Sequence, residues 1–404
     1  MIQIAVLGYG TVGSGVVEVI ETNQESINKK AGQEINIKYV LDLRDFPGNP
    51  IQEKIVHDYE VIANDPEIQI VVEVMGGVEP AYTFVKRALE SGRCVCTSNK
   101  ELVAKHGPEL MAIAQEKHCN FLFEASCGGG IPIIRPLNSS LTADVLDEVS
   151  GILNGTTNYI LSKMESDGSS FEAALKDAQE RGYAERNPEA DVEGYDACRK
   201  IAILSSLAFG HHVDYEDIYT EGITKITASD IKCAKVLGYR IKLVATCKQV
   251  KDQYYTMVCP VMVDGEDPLY GVNDVFNAIF VHGNMLGDAM FYGSGAGKRP
   301  TASAVVADVV DAAKHLNCTV MQKWSSQKLN LMDVSQVTHR YFVRMEGSLT
   351  RDIDQVEAVF GQVRPAGVPD LSQEFCFVTK PMTEKEYEEK AAKFGTILNR
   401  IRVR

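Results

Sequence analysis

Apolar positions in the first third of the chain come in short runs separated by stretches of helical spacing. Residues 2–7 (IQIAVL), 35–42 (INIKYVLD) and 68–74 (IQIVVEV) are short, apolar and rich in β-branched side chains, as strands buried on both faces are. Further strands are predicted at 93–97 (RCVCT) and 120–125 (NFLFEA). Residues 11–21, 80–91 and 103–117 repeat apolar residues every three or four positions, the mark of helices with one buried stripe. Pro80 stands near the first turn of the second of these, where its missing N–H costs nothing. Strands alternating with helices through short loops predict an α/β domain over 1–135 with a doubly wound parallel sheet.

The rhythm changes from about residue 136. A strand-like stretch at 147–155 (DEVSGILNG) runs into TTNYILSKM, two helices are predicted at 171–182 and 195–209, and strand-like segments lie within 241–264. This pattern predicts an α+β domain over 136–295 that binds substrate and dimerises. The loop GSGAGKRPTA (293–302) leads into an apolar helix at 302–316, expected to return to the first domain, which residues 296–320 would complete. The tail reads strand (340–345), helix (353–361), strand (374–380), helix (384–394), strand (397–404). That order predicts a small ferredoxin-like module over 340–404.

Composition narrows the partners. A chain of 404 residues exceeds what one core usually organises. A net charge of −14 argues against nucleic acid and anionic membranes as partners. The N-terminal MIQIAVLGYG reads as a first strand rather than a signal peptide, and no run of 18 apolar residues predicts a membrane span. The 10 cysteines are scattered, with no CxxC or His-rich spacing for zinc, so they are expected to be reduced thiols of a cytoplasmic protein.

Five constellations carry chemistry. Gly8-Tyr9-Gly10-Thr11-Val12-Gly13 is a GxGxxG between strand and helix. Gly8 suits a tight turn, Gly10 a close approach of the backbone to a pyrophosphate and Gly13 close helix–strand packing, so the first domain is expected to be a Rossmann-type dinucleotide-binding fold. Asp42, ending the second strand, suits a ribose hydroxyl and NAD, whereas Arg44 suits a 2′-phosphate and NADP; the balance leans to NADP. Ser98-Asn99-Lys100 sits at the carboxyl end of a strand, where either of the first two can cap the next helix. A lysine in that first turn is electrostatically misplaced unless it serves a ligand. The segment with Gly182, Glu185, Asp191, Asp196 and Lys200 is the densest. Asp196 and Lys200 share one face of a helix that is otherwise nearly apolar, so they need partners or a substrate. Finally, Glu124 precedes Cys127-Gly128-Gly129-Gly130-Ile131, a loop that either coordinates a hard cation or is an ordinary glycine-rich hinge.

Together GYGTVGSGV, VVEVMGG, SNKELVAKHG, EASCGGGIPII, GILNGTTNYIL, NPEADVEGYDACRKIAIL and GSGAGKRPTA resemble homoserine dehydrogenases of the long bacterial type, over about residues 1 to 320. The resemblance implies interconversion of L-homoserine and L-aspartate 4-semialdehyde with NAD or NADP, in a homodimer or homotetramer. It implies that Tyr9, Thr11, Val12, the flanking glycines, Lys100 and Gly297 line the cofactor. Gly182, Glu185, Asp191 and Asp196 would form the homoserine site, and Lys200 would be the acid/base residue with Lys100 beside it. Glu124 with the backbone carbonyls of Cys127, Gly129 and Ile131 would hold sodium. The tail resembles the ACT regulatory module, a possible amino-acid effector site, but lacks its Asp-x-Pro-Gly-Val turn and reads Met345-Glu-Gly-Ser-Leu-Thr-Arg-Asp-Ile instead. The competing readings are a dehydrogenase of another small amino acid and a non-catalytic nucleotide or amino-acid sensor.

Overall fold

Two β-sheets organise the chain. The computed structural model describes residues 1–321 and 324–404. The first sheet is built from β1 (Ile2–Leu7), β2 (Ile35–Leu41), β3 (Ile55–Val56), β4 (Ile68–Glu73), β5 (Cys94–Thr97) and β6 (Phe121–Leu122), all parallel, in the order β3-β2-β1-β4-β5-β6. The order reverses direction at β1, which opens a crevice between β1 and β4 at their carboxyl ends. Helices α1 (Thr11–Thr22), α2 (Gln24–Ala31), α3 (Tyr59–Ala63), α4 (Ala81–Glu90) and α5 (Lys100–Glu116) connect these strands. The near-continuous burial of β1 and β4 explains their unbroken apolar runs.

The second unit begins with β7 (Leu146–Ile152), α6 (Gly155–Asp167), α7 (Phe171–Glu180), α8 (Glu189–Val192) and α9 (Tyr195–Phe209). The short strands β8 (His211–His212) and β9 (Tyr219–Thr220), helix α10 (Ala228–Val236) and strands β10 (Arg240–Val250), β11 (Gln253–Val263), β12 (Phe276–Gly283) and β13 (Gly287–Ser294) follow. Helix α11 (Lys298–Lys314) then packs on α1, β4 and β5, so the chain does return to the first sheet. Gly15 makes the α1–α11 contact close, because a Cβ there would meet the Lys298 carbonyl and the Ala302 methyl.

After β14 (Ser325–Lys328), which pairs with β8, come β15 (Thr338–Glu346), α12 (Leu349–Phe360), β16 (Arg364–Gly367), β17 (Glu374–Val378), β18 (Met382–Thr383), α13 (Glu384–Ala391) and β19 (Ile397–Val403). Two features differ from the sequence reading. Strand β16 was not expected, since RPAG has no apolar alternation and pairs only at an edge. The 340–404 segment is also not set apart. Strand β19 pairs in parallel with β11, so β13-β12-β7-β10-β11-β19-β15-β17-β16 form one continuous sheet, with β9 and β18 attached. Within the tail the order β19-β15-β17-β16 is the ferredoxin-like one.

Buried ion pairs fix that junction. Arg402, 2% exposed, meets Glu221 at 3.0 Å and Glu384 at 2.7 Å. Arg344 meets Asp230 on α10 at 2.8 Å and Glu374 at 2.6 Å. Arg404 meets Glu148 of β7 and Asp267, each at 2.9 Å.

Candidate active site

Glycines open the nucleotide end. Gly13 cannot carry a side chain, since a Cβ would lie 1.9 Å from the Gly8 carbonyl oxygen, whereas a Cβ on Gly10 would meet nothing within 4 Å. The turn therefore packs on one side and leaves the other bare where α1 begins with uncapped N–H groups. Beside it lies a cavity of about 660 Å³ lined by Gly8, Gly10, Leu41, Asp42, Arg44 and Met75 among others. The charge pair foreseen as alternatives is a single ion pair. Arg44 donates from Nε to Asp42 Oδ1 and from Nη2 to Oδ2, both at 2.9 Å, and from Nη2 to the Tyr9 carbonyl at 3.2 Å. The Tyr9 N–H also donates to Asp42 Oδ2 at 2.9 Å. Arg44 holds the Asp42 carboxyl well below the usual carboxylate range.

At the carboxyl ends of β4 and β5 a buried chain of polar groups sets the start of α5. Thr97 Oγ1 donates to Glu73 Oε2 at 2.6 Å, and the Met75 N–H donates to Glu73 Oε1 at 2.8 Å. Burial raises the proton affinity of Glu73. The Asn99 N–H donates to Thr97 Oγ1 at 2.9 Å, and Asn99 Oδ1 caps α5 by accepting from the Leu102 N–H at 3.1 Å. The cap starts α5 at Lys100, three residues earlier than the apolar pattern predicts.

Lys100 in that first turn meets the second unit. Its Nζ lies 2.7 Å from Asp196 Oδ1, and Lys200 Nζ lies 2.7 Å from Asp196 Oδ2. Lys200 also donates to the Leu153 carbonyl at 2.7 Å. Asn154 Nδ2 donates to Asp196 Oδ2 at 2.9 Å and to Asp191 Oδ1 at 2.7 Å. Burial opposes the Asp196 charge, but Lys200 and Lys100 outweigh it and hold its carboxyl far below the usual range. Burial likewise opposes the Lys100 charge, and Asp196 overrides it, so the ammonium is held above its ordinary pKa. Among the described residues no lysine is in contact with Asp191, and burial beside Asp196 pushes it up.

The structure gives the other assigned residues these surroundings. Asp196, read as an ammonium ligand, has both oxygens engaged by lysines, which leaves the Asp191 oxygen Oδ2, free of hydrogen bonds among the described residues, as the open acceptor. Glu185 and Gly182 lie exposed on the loop after α7, and the Glu185 carboxylate has no partner among the described residues. The Glu124 carboxylate is not a free cation ligand. It accepts from the N–H groups of Ile133 (2.6 Å), Ile134 (2.9 Å) and Arg135 (2.8 Å), so only main-chain oxygens remain in that loop. Gly297 precedes α11, which brings it beside α1.

Among the described residues no cluster of three His, Cys, Asp or Glu side chains is arranged to hold a metal, and no helix is long and apolar enough to cross a membrane. All ten cysteines are free thiols. Sequence reasoning missed the side chain of Asn154, the carbonyl of Leu153 and the carboxylate of Glu73. Asn154 was legible only as a helix cap, since Asn followed by Gly-Thr-Thr signals a start of helix and nothing about two distant aspartates.

The chain matches known proteins over most of its length. A homoserine dehydrogenase family model matches residues 132–310, and the model of the homoserine dehydrogenase NAD-binding domain matches residues 8–124. The homoserine dehydrogenase of Bacillus subtilis is 43% identical over 326 residues, covering 79% of this chain and 74% of that one. That of Helicobacter pylori is 42% identical over 364 residues, covering 89% and 86%. A crystal structure of a homoserine dehydrogenase from Thiobacillus denitrificans superposes with a TM-score of 0.91 at 34% identity, over 100% of this chain and 98% of that one. The crevice at the glycine turn, the lysine pair around Asp196 and these matches agree: the chain belongs to the homoserine dehydrogenase family, NAD(P)-dependent oxidoreductases.

Proposed function

We propose that homoserine is oxidised, and the semialdehyde reduced, in the gap between the carboxyl ends of β4 and β5 and the start of α9. The observation that carries this reading is the Lys100–Asp196–Lys200 array, which joins the cofactor-binding sheet to the amino-acid pocket. A bound dinucleotide supplies the hydride acceptor, and Gly8 to Gly13 with the N-terminus of α1 would hold its pyrophosphate.

Lys200 is the proton carrier. Its nitrogen has two fixed acceptors, Asp196 Oδ2 and the Leu153 carbonyl. As a neutral amine it keeps both bonds with its two hydrogens, and its lone pair faces the substrate hydroxyl. As an ammonium it presents the third hydrogen at the same place. The proton thus moves along one direction in both senses of the reaction. Lys100, kept charged by Asp196, stabilises the developing alkoxide. Asp191, with Glu185 from the exposed loop, holds the α-ammonium, while backbone N–H groups of residues 154–156 hold the carboxylate; those of Thr157 and Gly182 are given to Asn154 Oδ1 and the Gln179 carbonyl.

NADP is the favoured cofactor, since Arg44 neutralises Asp42 and remains 62% exposed toward a 2′-phosphate. Sodium would be held by the main-chain carbonyls of Glu124, Cys127, Gly129 and Ile131, the hard oxygen donors an alkali ion takes. It would brace the junction, where the Glu124 N–H and Arg135 both donate to Asp308 on α11, at 2.8 and 2.6 Å. A homodimer or homotetramer in the cytoplasm fits the free thiols and the exposed Met290 and Tyr292 of edge strand β13. An amino-acid effector at the ACT-like tail would act through the shared sheet.

Initial rates of homoserine oxidation with NAD and NADP separately, with and without sodium and threonine, test these points. Faster turnover with NADP and activation by sodium are expected. Equal kcat/KM for the two dinucleotides would overturn the Arg44 reading, and indifference to sodium the cation reading.

A further inference from the structure

We propose that Asn154 is a positioning residue for the reaction, whose side-chain amide sorts the two aspartates: it ties Asp196 into the lysine pair and holds Asp191 with one oxygen turned to the substrate ammonium. This rests on the reading of Asp191 as the ammonium acceptor.

Asn154 is 5% exposed, and both hydrogens and the oxygen of its amide are engaged. Its two hydrogens go one each to Asp191 Oδ1 (2.7 Å) and Asp196 Oδ2 (2.9 Å). Its oxygen accepts from the Thr157 N–H (2.9 Å), and the single hydrogen of Thr157 Oγ1 is shared between that oxygen and the Asn154 carbonyl, each at 3.1 Å. The helix N-terminus therefore decides which way the amide faces. A flipped amide would set its oxygen against two carboxylates and its NH2 against a backbone N–H. Two carboxylates brought together in a desolvated pocket repel, and one of them tends to take a proton or turn away. An amide between them, giving a hydrogen to each, offsets that repulsion without adding charge. Asp196 gains a third donor beside its two lysines, and Asp191, without a cation of its own, is left poised for one. The side chain has to be an acceptor toward α6 and a double donor toward the aspartates. Aspartate and serine satisfy the first demand and fail the second.

Asn154→Asp and Asn154→Ser separate the two roles, because both keep a helix cap and neither donates to both aspartates. Asn154→Ser does so without adding charge. Asn154→Ser is expected to keep the thermal midpoint near that of the parent, whereas Asn154→Asp, which sets a third carboxylate against the other two, is expected to lower it. KM for homoserine should rise about ten-fold or more, the size of a lost hydrogen bond to a charged group. KM for the dinucleotide should stay within about two-fold, since the phosphate-binding turn is untouched. Parent-like KM and kcat for homoserine in Asn154→Ser, or a loss that follows the thermal midpoint alone, overturns the proposal. Asp191→Asn, measured alongside, isolates the underlying reading. If its KM for homoserine is unchanged, the ammonium assignment itself falls. If its KM rises while Asn154→Ser is unaffected, only the role of Asn154 falls.

Discussion

Lys100 Nζ stands 2.7 Å from Asp196 Oδ1, although one residue opens α5 beside the parallel sheet and the other lies in the first turn of α9 in the second unit. The contact places a cation at a helix N-terminus, where the helix dipole opposes it, and Asp196 supplies the compensation. The remaining oxygen of the same carboxylate takes Lys200, so both cations depend on one anion.

Replacing Lys200 with Ala should lower kcat by about 10² or more, as loss of a general acid–base group does. Dinucleotide affinity should stay near normal, because Lys200 lies on α9 and touches none of the residues of the glycine turn. Steady-state rates with a fluorescence titration of the reduced cofactor check both. An unchanged kcat removes Lys200 from the mechanism.

Asp196→Asn leaves two lysines facing a neutral amide. Breaking a buried pair by removing one partner costs about 3–5 kcal/mol, at the lower end here because Lys100 is 36% exposed. Adding Lys100→Ala to that variant should restore part of the loss, since one unpaired cation goes. Thermal unfolding of the four members of the cycle measures the coupling; strictly additive losses would mean that Lys100 and Asp196 do not act together.

Arg44→Ala removes the fork that occupies Asp42. The freed carboxylate can accept ribose hydroxyls and repel a 2′-phosphate. The ratio of kcat/KM for NADP over NAD should fall about ten-fold or more, as expected for a lost charge-assisted contact to phosphate. A ratio that does not move would place the 2′-position elsewhere.

The tail should not behave as a detachable module. Arg402→Ala would take the cation from Glu221 and leave the buried Glu384 with Arg400 alone, and should cost stability by less than the about 3–5 kcal/mol of a buried charge left with no partner. A chain ending after residue 337 would lose β19 from the edge of β11 and expose that strand's polar backbone. It is expected to be poorly soluble. A soluble truncated chain with parent-like activity and thermal midpoint would show that the shared sheet contributes little.

Acid should weaken the same junction through His339. Burial, with the Arg402 charge nearby, pushes His339 down to about 4. The folded imidazole thus binds protons less readily than the unfolded one, whose pKa is near 6.5. Its neutral form fits the junction fully above pH 6.5, and stability falls as pH drops from about 6.5 to about 4, by at most about 1.4 kcal/mol per unit. Its ring packs against Tyr255 and Tyr341, so His339→Phe should fit and flatten that slope. An unchanged slope in denaturant titrations across this range would assign the acid sensitivity to other groups.

Much of this protein is written locally. Continuous apolar runs in β1 and β4, the helical spacing between them and the Gly8–Gly13 turn are each decided by residues a few positions apart, so they predict the parallel sheet and its phosphate-binding end directly. Asp196 and Lys200 also share a helix face by spacing alone, which made them candidates before any partner was known. Nothing local tells that Asp196 is claimed by Lys100, that Asn154 joins it to Asp191, or that Glu124 spends its carboxylate on three backbone N–H groups. Those outcomes belong to side chains brought within 3 Å from separate elements, where each polar group takes whichever partner the packing leaves in reach. The fusion of the tail to the main sheet has the same origin, because a strand's own sequence sets which face it buries but not which strand lies at its edge.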